Sequence, residues 1–204
     1  MFIDDYTLIK PLGKGAFGDV ILTSKQGSKQ KLAIKQINKK FCNNPKAKKY
    51  LYNEIKILKE IDRHINVIKL FDVKETQNFY YLVTEFCNGG TLSDNLENYL
   101  EKFKHPFNEE IVQFLMKQII TGVKYLHKKN IVHRDIKLDN LLLNYDSEDD
   151  RSNKNLIKAR VKITDFGFSR YLAQSERSFS PFEHFWMYPP LYKKKAIVKK
   201  LIYG

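Results

Sequence analysis

The sequence predicts an α+β fold, in which a five-stranded antiparallel sheet with one helix precedes a mainly helical region. Three observations indicate it. Short β-rich runs flank a glycine-rich turn near the amino terminus, an amphipathic helix follows the third run, and a long amphipathic helix lies mid-chain. A chain of 204 residues can bury one sizeable core or two small ones. We therefore expect one domain unit, built around either a single core or two small lobes.

The first half of the chain contains the predicted sheet. Its five β-rich runs are residues 6–12, 19–24, 31–37, 67–71 and 79–85. The Asn-Asn-Pro triplet at 43–45 breaks the strand pattern, and Leu51, Ile55 and Leu58 then recur at helical spacing. We expect one helix between the third and fourth strands, and a first lobe of residues 1–87.

The second half contains two predicted helices and three short strands. The shorter helix carries Leu92 to Phe103, and the longer one carries Ile111 to Leu126 with Asn108 as its N-cap. Residues 131–132, 141–143 and 161–163 are expected to form small strands. The polar insertion at 144–155 is interpreted as a solvated loop rather than a metal site.

Composition excludes several function classes. The chain is 43% hydrophobic and 29% charged, as in globular proteins, and its two cysteines, Cys42 and Cys87, lack metal-ligand spacing. Its net charge of +13 is dispersed and comes mostly from lysine, so we expect no nucleic-acid site. The acidic residues Asp4 and Asp5 and the absence of a long apolar run predict a cytoplasmic protein without a transmembrane segment.

The glycine-rich turn is a candidate phosphate-binding loop. Residues 13–18 fit the pattern G-x-G-x-x-G, but a β-rich run follows them, where a dinucleotide-binding fold would start a helix. A P-loop would require Lys and Ser or Thr after Gly18, and Asp19 and Val20 stand there instead. The turn therefore joins two strands, either to cradle phosphate or simply as a tight hairpin.

A lysine on the next strand can serve the phosphates. Strand alternation puts Ala33 and Lys35 on one face of the strand. The small Ala33 side chain can pack against an adenine ring there, and the Lys35 ammonium group can reach the phosphates. Glu54, on the predicted helix, can pair with Lys35 and orient it. An exposed strand lysine is the plainer alternative.

Two further motifs follow in order along the chain. His133-Arg134-Asp135-Ile136-Lys137-Leu138-Asp139-Asn140 fits H-R-D-[LI]-x-x-x-N, and Asp165-Phe166-Gly167 follows. Together with the glycine loop and Lys35, they resemble the eukaryotic-type serine/threonine protein kinases. The segments at 87–92 and 161–172 look like the autophagy-initiating subgroup of that family.

The resemblance implies a role for each motif residue. Asp135 would accept the proton of a substrate Ser or Thr hydroxyl, and Lys137 would touch the transferred phosphate. Asn140 and Asp165 would hold Mg²⁺ against ATP, and Lys35, paired with Glu54, would hold the phosphates. The further residues implied to contact ATP are Leu12, Gly13, Lys14, Gly15, Ala16, Phe17, Gly18, Val20, Ala33, Thr84, Glu85, Cys87 and Leu142.

The resemblance ends near Leu172, so the chain is expected to comprise a first lobe at 1–87, a partial second lobe at 88–172 and a divergent, poorly ordered tail at 173–204. A frame slip or a misplaced splice boundary would explain the tail, and a genuinely divergent or foreign tail is the alternative. An incomplete lobe would expose the apolar face of the helix from Ile111 to Leu126.

Two function classes remain open at this point. The first is an ATP-dependent serine/threonine kinase that acts on protein substrates, with the activity of this particular chain in doubt. The second is a non-catalytic kinase-like module that binds nucleotide or a partner protein. The presence of Lys35, Glu54, Asp135, Asn140 and Asp165 favours the first.

Overall fold

The structure of the chain, a computed structural model, describes residues 2–3, 5–15 and 18–172. It divides into two units. The first comprises the residues up to Asp62 together with Ile68–Phe86, and the second comprises Arg63–Val67 and the residues from Cys87 onward. The first lobe was expected to end at Cys87, and the grouping of residues 63–67 with the second unit was not expected.

The first unit contains an antiparallel sheet. Its strands are β1 (Phe2–Ile3), β2 (Tyr6–Gly15), β3 (Gly18–Lys25), β4 (Lys31–Asn38), β5 (Leu70–Glu75) and β6 (Phe79–Glu85), arranged in the order β1-β2-β3-β4-β6-β5. The five predicted strands are all present. The two-residue strand β1 extends the sheet at the β2 edge and was not predicted, because two residues give no periodicity to recognise.

The fourth predicted strand is displaced along the chain. Residues 67–71 were chosen for their apolar run, whereas the strand observed there is β5, which includes the polar residues Asp72, Lys74 and Glu75. The prediction of its start was wrong because β5 buries only part of its surface, so its pattern is mixed. Val67 instead forms a parallel bridge with Ile163 inside the second unit.

The helix of the first unit is α1, Pro45–Glu60. Asn44 caps it by accepting a hydrogen bond from the backbone N–H of Lys46, and Pro45 fits the first turn, where its missing N–H is not needed. The predicted apolar positions Leu51, Ile55 and Leu58 are buried, together with Ile57 and the polar Glu54. The helix thus packs by its apolar face and brings one carboxylate into the interior of the unit.

The second unit contains the two predicted helices, α2 (Leu92–Phe103) and α3 (Glu109–Lys128). Thr91 and Asp94 form a capping box at the start of α2, and the Asn108 side chain accepts a hydrogen bond from Ile111 N at the start of α3. The expected exposed apolar face of α3 is not observed. Leu115, Ile119, Val123 and Leu126 are buried, because α3 packs against the short strands that follow it.

The described residues of the second unit also form four short strands: β7 (Ile131–Val132), β8 (Leu141–Asn144), β9 (Arg160–Ile163) and β10 (Arg170–Tyr171). β7 pairs with β10 and β8 with β9, both antiparallel. The insertion between β8 and β9 is not a plain loop, since it contains the short helix α4, Glu148–Ser152, capped by Ser147. Within the described ranges, no helix is long and apolar enough to cross a membrane.

Candidate active site

The glycine-rich turn joins β2 to β3 as a hairpin. Gly15 pairs with Gly18 and Lys14 with Asp19 across it, and Leu12 and Lys14 are exposed. A β-carbon on Gly18 would lie 1.7 Å from the carbonyl oxygen of Gln36 on β4, whereas nothing lies within 4 Å of one on Gly13. Gly18 is therefore required by close backbone packing, and Gly13 is not. The predicted ATP contacts Ala16 and Phe17 lie outside the described residues.

Lys35 is paired as predicted. Its Nζ lies 2.8 Å from Glu54 Oε1, with the Glu54 side chain 4% exposed and that of Lys35 17% exposed. Strand β4 supplies the lysine and the buried face of α1 supplies the carboxylate. In the register of the sheet Lys35 lies opposite Val20 on β3, and Ala33 lies opposite Thr84 on β6. The first unit therefore brings four predicted ATP-binding residues onto adjacent strands.

The segment that was predicted to contact adenine spans the end of the first unit. Thr84 Oγ1 donates to the carbonyl oxygen of Ala33 at 3.4 Å. Glu85 N donates to Lys69 O at 3.0 Å, and Glu85 Oε1 accepts from Lys69 N at 2.8 Å. A nucleotide contact from the backbone of Glu85 would therefore have to come from its carbonyl oxygen. Cys87 is buried and belongs to the second unit.

The second unit brings the predicted catalytic residues together around one carboxylate. Asp135 Oδ2 accepts from Asn140 Nδ2 at 2.9 Å and lies 3.0 Å from Lys137 Nζ. Asn140 Nδ2 also donates to the backbone carbonyl of Asp135 at 2.9 Å. The hydrogen bond to Asp135 raises the pKa of Lys137, so the lysine is cationic at neutral pH. One carboxylate oxygen is thus held by an amide and an ammonium group.

His133 links the two motifs of this unit. Its Nε2 lies 3.0 Å from Thr164 O, and Asp135 N donates to its Nδ1 at 3.3 Å. Because a carbonyl oxygen only accepts, Nε2 carries the proton, which leaves Nδ1 as an acceptor on a neutral ring. Burial lowers the pKa of His133 to about 4, in agreement with the neutral form.

The two neighbours of Asp165 in the chain, Thr164 and Phe166, contact Asn140 and His133. The Asp165 backbone has a φ of 63°, in the left-handed region, and the preceding Thr164 N donates to Asn140 O at 3.0 Å. The ring of Phe166, fully buried, meets the ring of His133 edge-on at 4.9 Å. The two predicted metal ligands, Asn140 and Asp165, are therefore joined through backbone and ring contacts of the same unit.

The donor chemistry of these residues fits Mg²⁺, which prefers one or two carboxylates together with phosphate oxygens and water. Asn140 and Asp165 offer an amide oxygen and a carboxylate. Among the residues that the structure describes, no group of three or more His, Cys, Asp or Glu side chains could hold a metal ion. Asn140 and Asp165 therefore offer two oxygen ligands of the kind that Mg²⁺ prefers.

Leu142, the last predicted ATP contact, is half-buried in β8. It bridges to Thr91 and pairs with Lys162. A groove of about 620 Å³ in the same unit, between α2 and the residues that follow α4, is lined by none of the predicted site residues. The groove gives no information about the chemistry, because polar and charged side chains line most of it without a cluster of candidate catalytic groups.

The comparisons with known proteins decide the family. The protein kinase domain profile matches residues 6–200 of the chain. The chain belongs to the protein kinase family. The profile match continues beyond Leu172, where the sequence motifs end. The predicted divergent tail, residues 173–204, lies outside the described residues, and its predicted poor order stays a prediction.

Curated relatives of this kinase domain are serine/threonine kinases or bear protein kinase names. Calcium-dependent protein kinase 4 of Plasmodium berghei (strain Anka) is 37% identical over 177 residues, which cover 87% of this chain and 31% of that protein. The same values hold for Calcium-dependent protein kinase 4 of Plasmodium falciparum (isolate 3D7). Human serine/threonine-protein kinase ULK1 is 43% identical over 163 residues, 79% of this chain and 14% of that protein. The kinase domain thus spans less than a third of each relative.

Sequence reasoning missed Asn88, which connects the segment after Cys87 to the insertion. The Asn88 side-chain Nδ2 donates to Tyr145 O at 2.9 Å, and its Oδ1 accepts from Tyr145 N at 2.8 Å. The backbone carbonyl oxygen of Asn88 accepts from Arg151 Nε at 3.0 Å. A β-carbon on Gly89 would lie 2.7 Å from the Tyr145 ring. Residues 87–92 had been considered only for their resemblance to the autophagy-initiating subgroup, and no local signal pointed to a partner 57 residues away.

Proposed function

We propose that this kinase domain transfers the γ-phosphoryl group of ATP to Ser or Thr hydroxyls of protein substrates, with Mg²⁺ as cofactor. The observation that carries the proposal is the Asp135 carboxylate, held by Asn140 at 2.9 Å and Lys137 at 3.0 Å. Phosphoryl transfer needs positioning and electrostatic stabilisation rather than a covalent protein nucleophile. A carboxylate fixed beside a cation is suited to that task.

In the proposed reaction, Asp135 orients the acceptor hydroxyl and accepts its proton. The hydroxyl oxygen forms a bond to the γ-phosphorus, and the bond between that phosphorus and the β,γ-bridging oxygen of ATP breaks. ADP leaves, and a phosphoester of Ser or Thr remains. The ammonium group of Lys137 stabilises the charge on the transferred phosphoryl group. Asn140 and Asp165 would hold Mg²⁺, which would neutralise charge on the phosphates.

The first unit would bind the nucleotide. Lys35, oriented by Glu54, neutralises charge on the phosphates, and the β2–β3 hairpin brings backbone N–H groups to them. Ala33, Val20 and Leu142 are the residues proposed to make apolar contacts with adenine. The other proposed nucleotide contacts are Leu12, Gly13, Lys14, Gly15, Ala16, Phe17, Gly18, Thr84, Glu85 and Cys87.

The preference for Ser and Thr rests on two supports. Lys137 follows Asp135 by two residues, a spacing that resembles the serine/threonine kinases. The human relative, 43% identical, is named serine/threonine-protein kinase ULK1. The cytoplasmic location and the absence of a nucleic-acid site stay predictions, which imaging of a tagged chain and a nucleic-acid binding assay would test.

The deciding experiment is a phosphotransfer assay with purified chain, magnesium-ATP and a generic Ser/Thr protein substrate. We expect phosphate incorporation that Asp135→Asn abolishes, while nucleotide binding to that variant persists. Asp139→Asn is the matched control, since Asp139 lies in the same loop and is exposed. Nucleotide binding without turnover in the unaltered chain would favour the non-catalytic module. Turnover that survives Asp135→Asn would contradict the proposed role of this carboxylate.

A further inference from the structure

A basic and aromatic surface lies on the first unit, on exposed side chains of α1 and of the turn before it. We name it the α1 surface and define it by Lys40, Phe41, Lys48, Lys49 and Tyr52, all of them exposed. Residues 39–60 contain seven lysines, no arginine and two glutamates; Glu54 is buried against Lys35, and Lys39 pairs with Glu75 from β5. The surface is therefore strongly cationic.

Tyr80 contacts both parts of the α1 surface, the turn Lys39–Asn43 and the helix α1. Lys39, which begins the 3-10 turn Lys39–Asn43, lies with Nζ 4.8 Å from the centre of the Tyr80 ring. Tyr52 on α1 lies with its hydroxyl 3.2 Å from that of Tyr80, and Lys48 Nζ lies 5.8 Å from the Tyr52 ring. The turn and the outer face of α1 thus form one continuous surface.

Stability of the helix does not explain these lysines. Acidic residues near a helix N-terminus are stabilising, and α2, α3 and α4 each carry at least one in the first turn. α1 carries none there and has Lys46, Lys48 and Lys49 in its first two turns. The lysines are placed against the helix dipole, so a binding role accounts for them better than folding does.

Exposed aromatic side chains accompany the charge. Phe41 is 60% exposed, the largest value among the exposed large hydrophobic residues of the described ranges, and Tyr52 is 48% exposed. An apolar ring in water is unfavourable, and at the boundary between lipid headgroups and acyl chains it is favourable. The combination of lysine clusters and exposed rings is typical of interfacial attachment.

We propose that the α1 surface binds the anionic headgroups of a lipid bilayer, with Phe41 entering the interface. The seven cations are all lysines, which act as point charges, whereas recognition of a single phosphate or phosphopeptide favours the bidentate fork of arginine. A diffuse set of exposed lysines on α1 and on the turn before it matches an extended anionic surface. The protein thereby gains a peripheral attachment that is independent of its catalytic residues.

Vesicle flotation of the full chain tests the proposal. We expect binding to phosphatidylcholine vesicles with about 30 mol% phosphatidylserine and none to phosphatidylcholine alone. Lys48→Glu with Lys49→Glu should weaken binding about tenfold or more, since each lysine near an anionic surface contributes to attraction. The variant Lys48→Arg with Lys49→Arg should bind like the unaltered chain, because attraction to an anionic bilayer depends on the charge of the side chains and not on their geometry.

The matched control is Lys117→Glu with Lys124→Glu, two exposed lysines of α3 that make the same change in net charge. This pair should weaken binding less than about threefold. The α1 pair should not lower the unfolding temperature, because the new carboxylates lie in the N-terminal half of the helix. Equal effects of the two pairs would overturn the proposal in favour of a general response to the net charge of +13.

The Phe41→Ser variant distinguishes binding to a bilayer from binding to a soluble acidic partner. It should weaken vesicle binding severalfold and leave binding to polyglutamate unchanged, since only the bilayer offers an apolar layer. Inorganic phosphate at constant ionic strength should not displace the vesicles. No binding to the anionic vesicles, displacement by phosphate, or an equal response of vesicle and polyglutamate binding to Phe41→Ser would each overturn the proposal.

Discussion

Lys35 Nζ lies 2.8 Å from Glu54 Oε1, and this ion pair joins β4 to the buried face of α1 within the first unit. The residues are 19 positions apart, so no local pattern enforces their contact. A cation held by a buried carboxylate keeps a fixed position at low entropic cost. The pair therefore has consequences for both activity and stability.

Lys35→Met should lower kcat/KM by about a hundredfold or more, because it removes a cation that stabilises phosphate charge. It should also lower the free energy of unfolding by about 1–3 kcal/mol, since the buried Glu54 loses a charged partner. Lys39→Met, which breaks the exposed pair with Glu75, is the control and should cost less than about 1 kcal/mol. Steady-state kinetics and urea unfolding measure the two effects. Equal destabilisation by both variants would contradict the argument.

Lys35→Met and Asp165→Ala should not act additively on turnover. Both residues are proposed to act on the same bound nucleotide, so losing one removes much of what the other contributes. The double variant should be no more than about tenfold slower than the slower single variant. A double variant as slow as the product of the two single effects would indicate independent functions.

Lys137 and Asn140 both contact Asp135 Oδ2, yet their substitutions should differ. The Lys137 side chain is 42% exposed, whereas Asn140 is 6% exposed and holds two oxygens of Asp135. Lys137→Ala should slow turnover about a hundredfold while the unfolding temperature stays unchanged. Asn140→Ala should slow turnover and also destabilise the fold by about 1–3 kcal/mol. Differential scanning fluorimetry beside the kinase assay distinguishes them, and a stable Asn140→Ala variant would refute the structural part.

Gly18 and Gly13 offer a matched pair in one hairpin. Gly18→Ala would place its β-carbon 1.7 Å from Gln36 O, at a residue with a φ of 155°, so β3 must shift away from β4. We expect loss of stability by about 2 kcal/mol or more, together with loss of nucleotide binding. Gly13→Ala meets nothing within 4 Å and should fold normally. Thermal unfolding checks both variants, and similar unfolding temperatures would count against the steric argument.

His133 should make the fold sensitive to mild acid. Its pKa in the folded chain is about 4, against 6.5 for an ordinary histidine, mainly because of burial. Below about pH 6.5 the His133 side chain of the unfolded chain binds a proton, whereas that of the folded chain stays neutral. The free energy of unfolding therefore decreases as pH falls from about 6.5 towards 4. The loss can reach about 3 kcal/mol.

His133→Gln keeps a donor for Thr164 O and cannot titrate in this range. Its free energy of unfolding should fall less steeply between pH 6.5 and 4 than that of the unaltered chain. Some slope should persist, because burial also lowers the pKa of His64. Urea unfolding at a series of pH values measures the difference, and identical slopes would show that His133 does not control the transition.

Much of the fold could be predicted because its signals are local. Leu51, Ile55 and Leu58 marked α1 by spacing, and Asn108 marked the start of α3 as a cap. β5 was misplaced because its half-exposed surface gives a mixed pattern. The burial of the α3 face could not be predicted, since it depends on how the strands after the helix fold back onto it.

The sequence by itself determined the order of motifs, and with it the family and the residue types available for phosphoryl transfer. Spacing along the chain is sufficient for this, because helix period, strand alternation and capping act over a few residues. Only the tertiary structure decided which distant groups meet. The contact of Asn88 with Tyr145 and the grouping of Arg63–Val67 with the second unit depend on long-range packing, whereas the pairing of Lys35 with Glu54 was already expected from the order of the elements. Such contacts leave no periodic signal in the sequence.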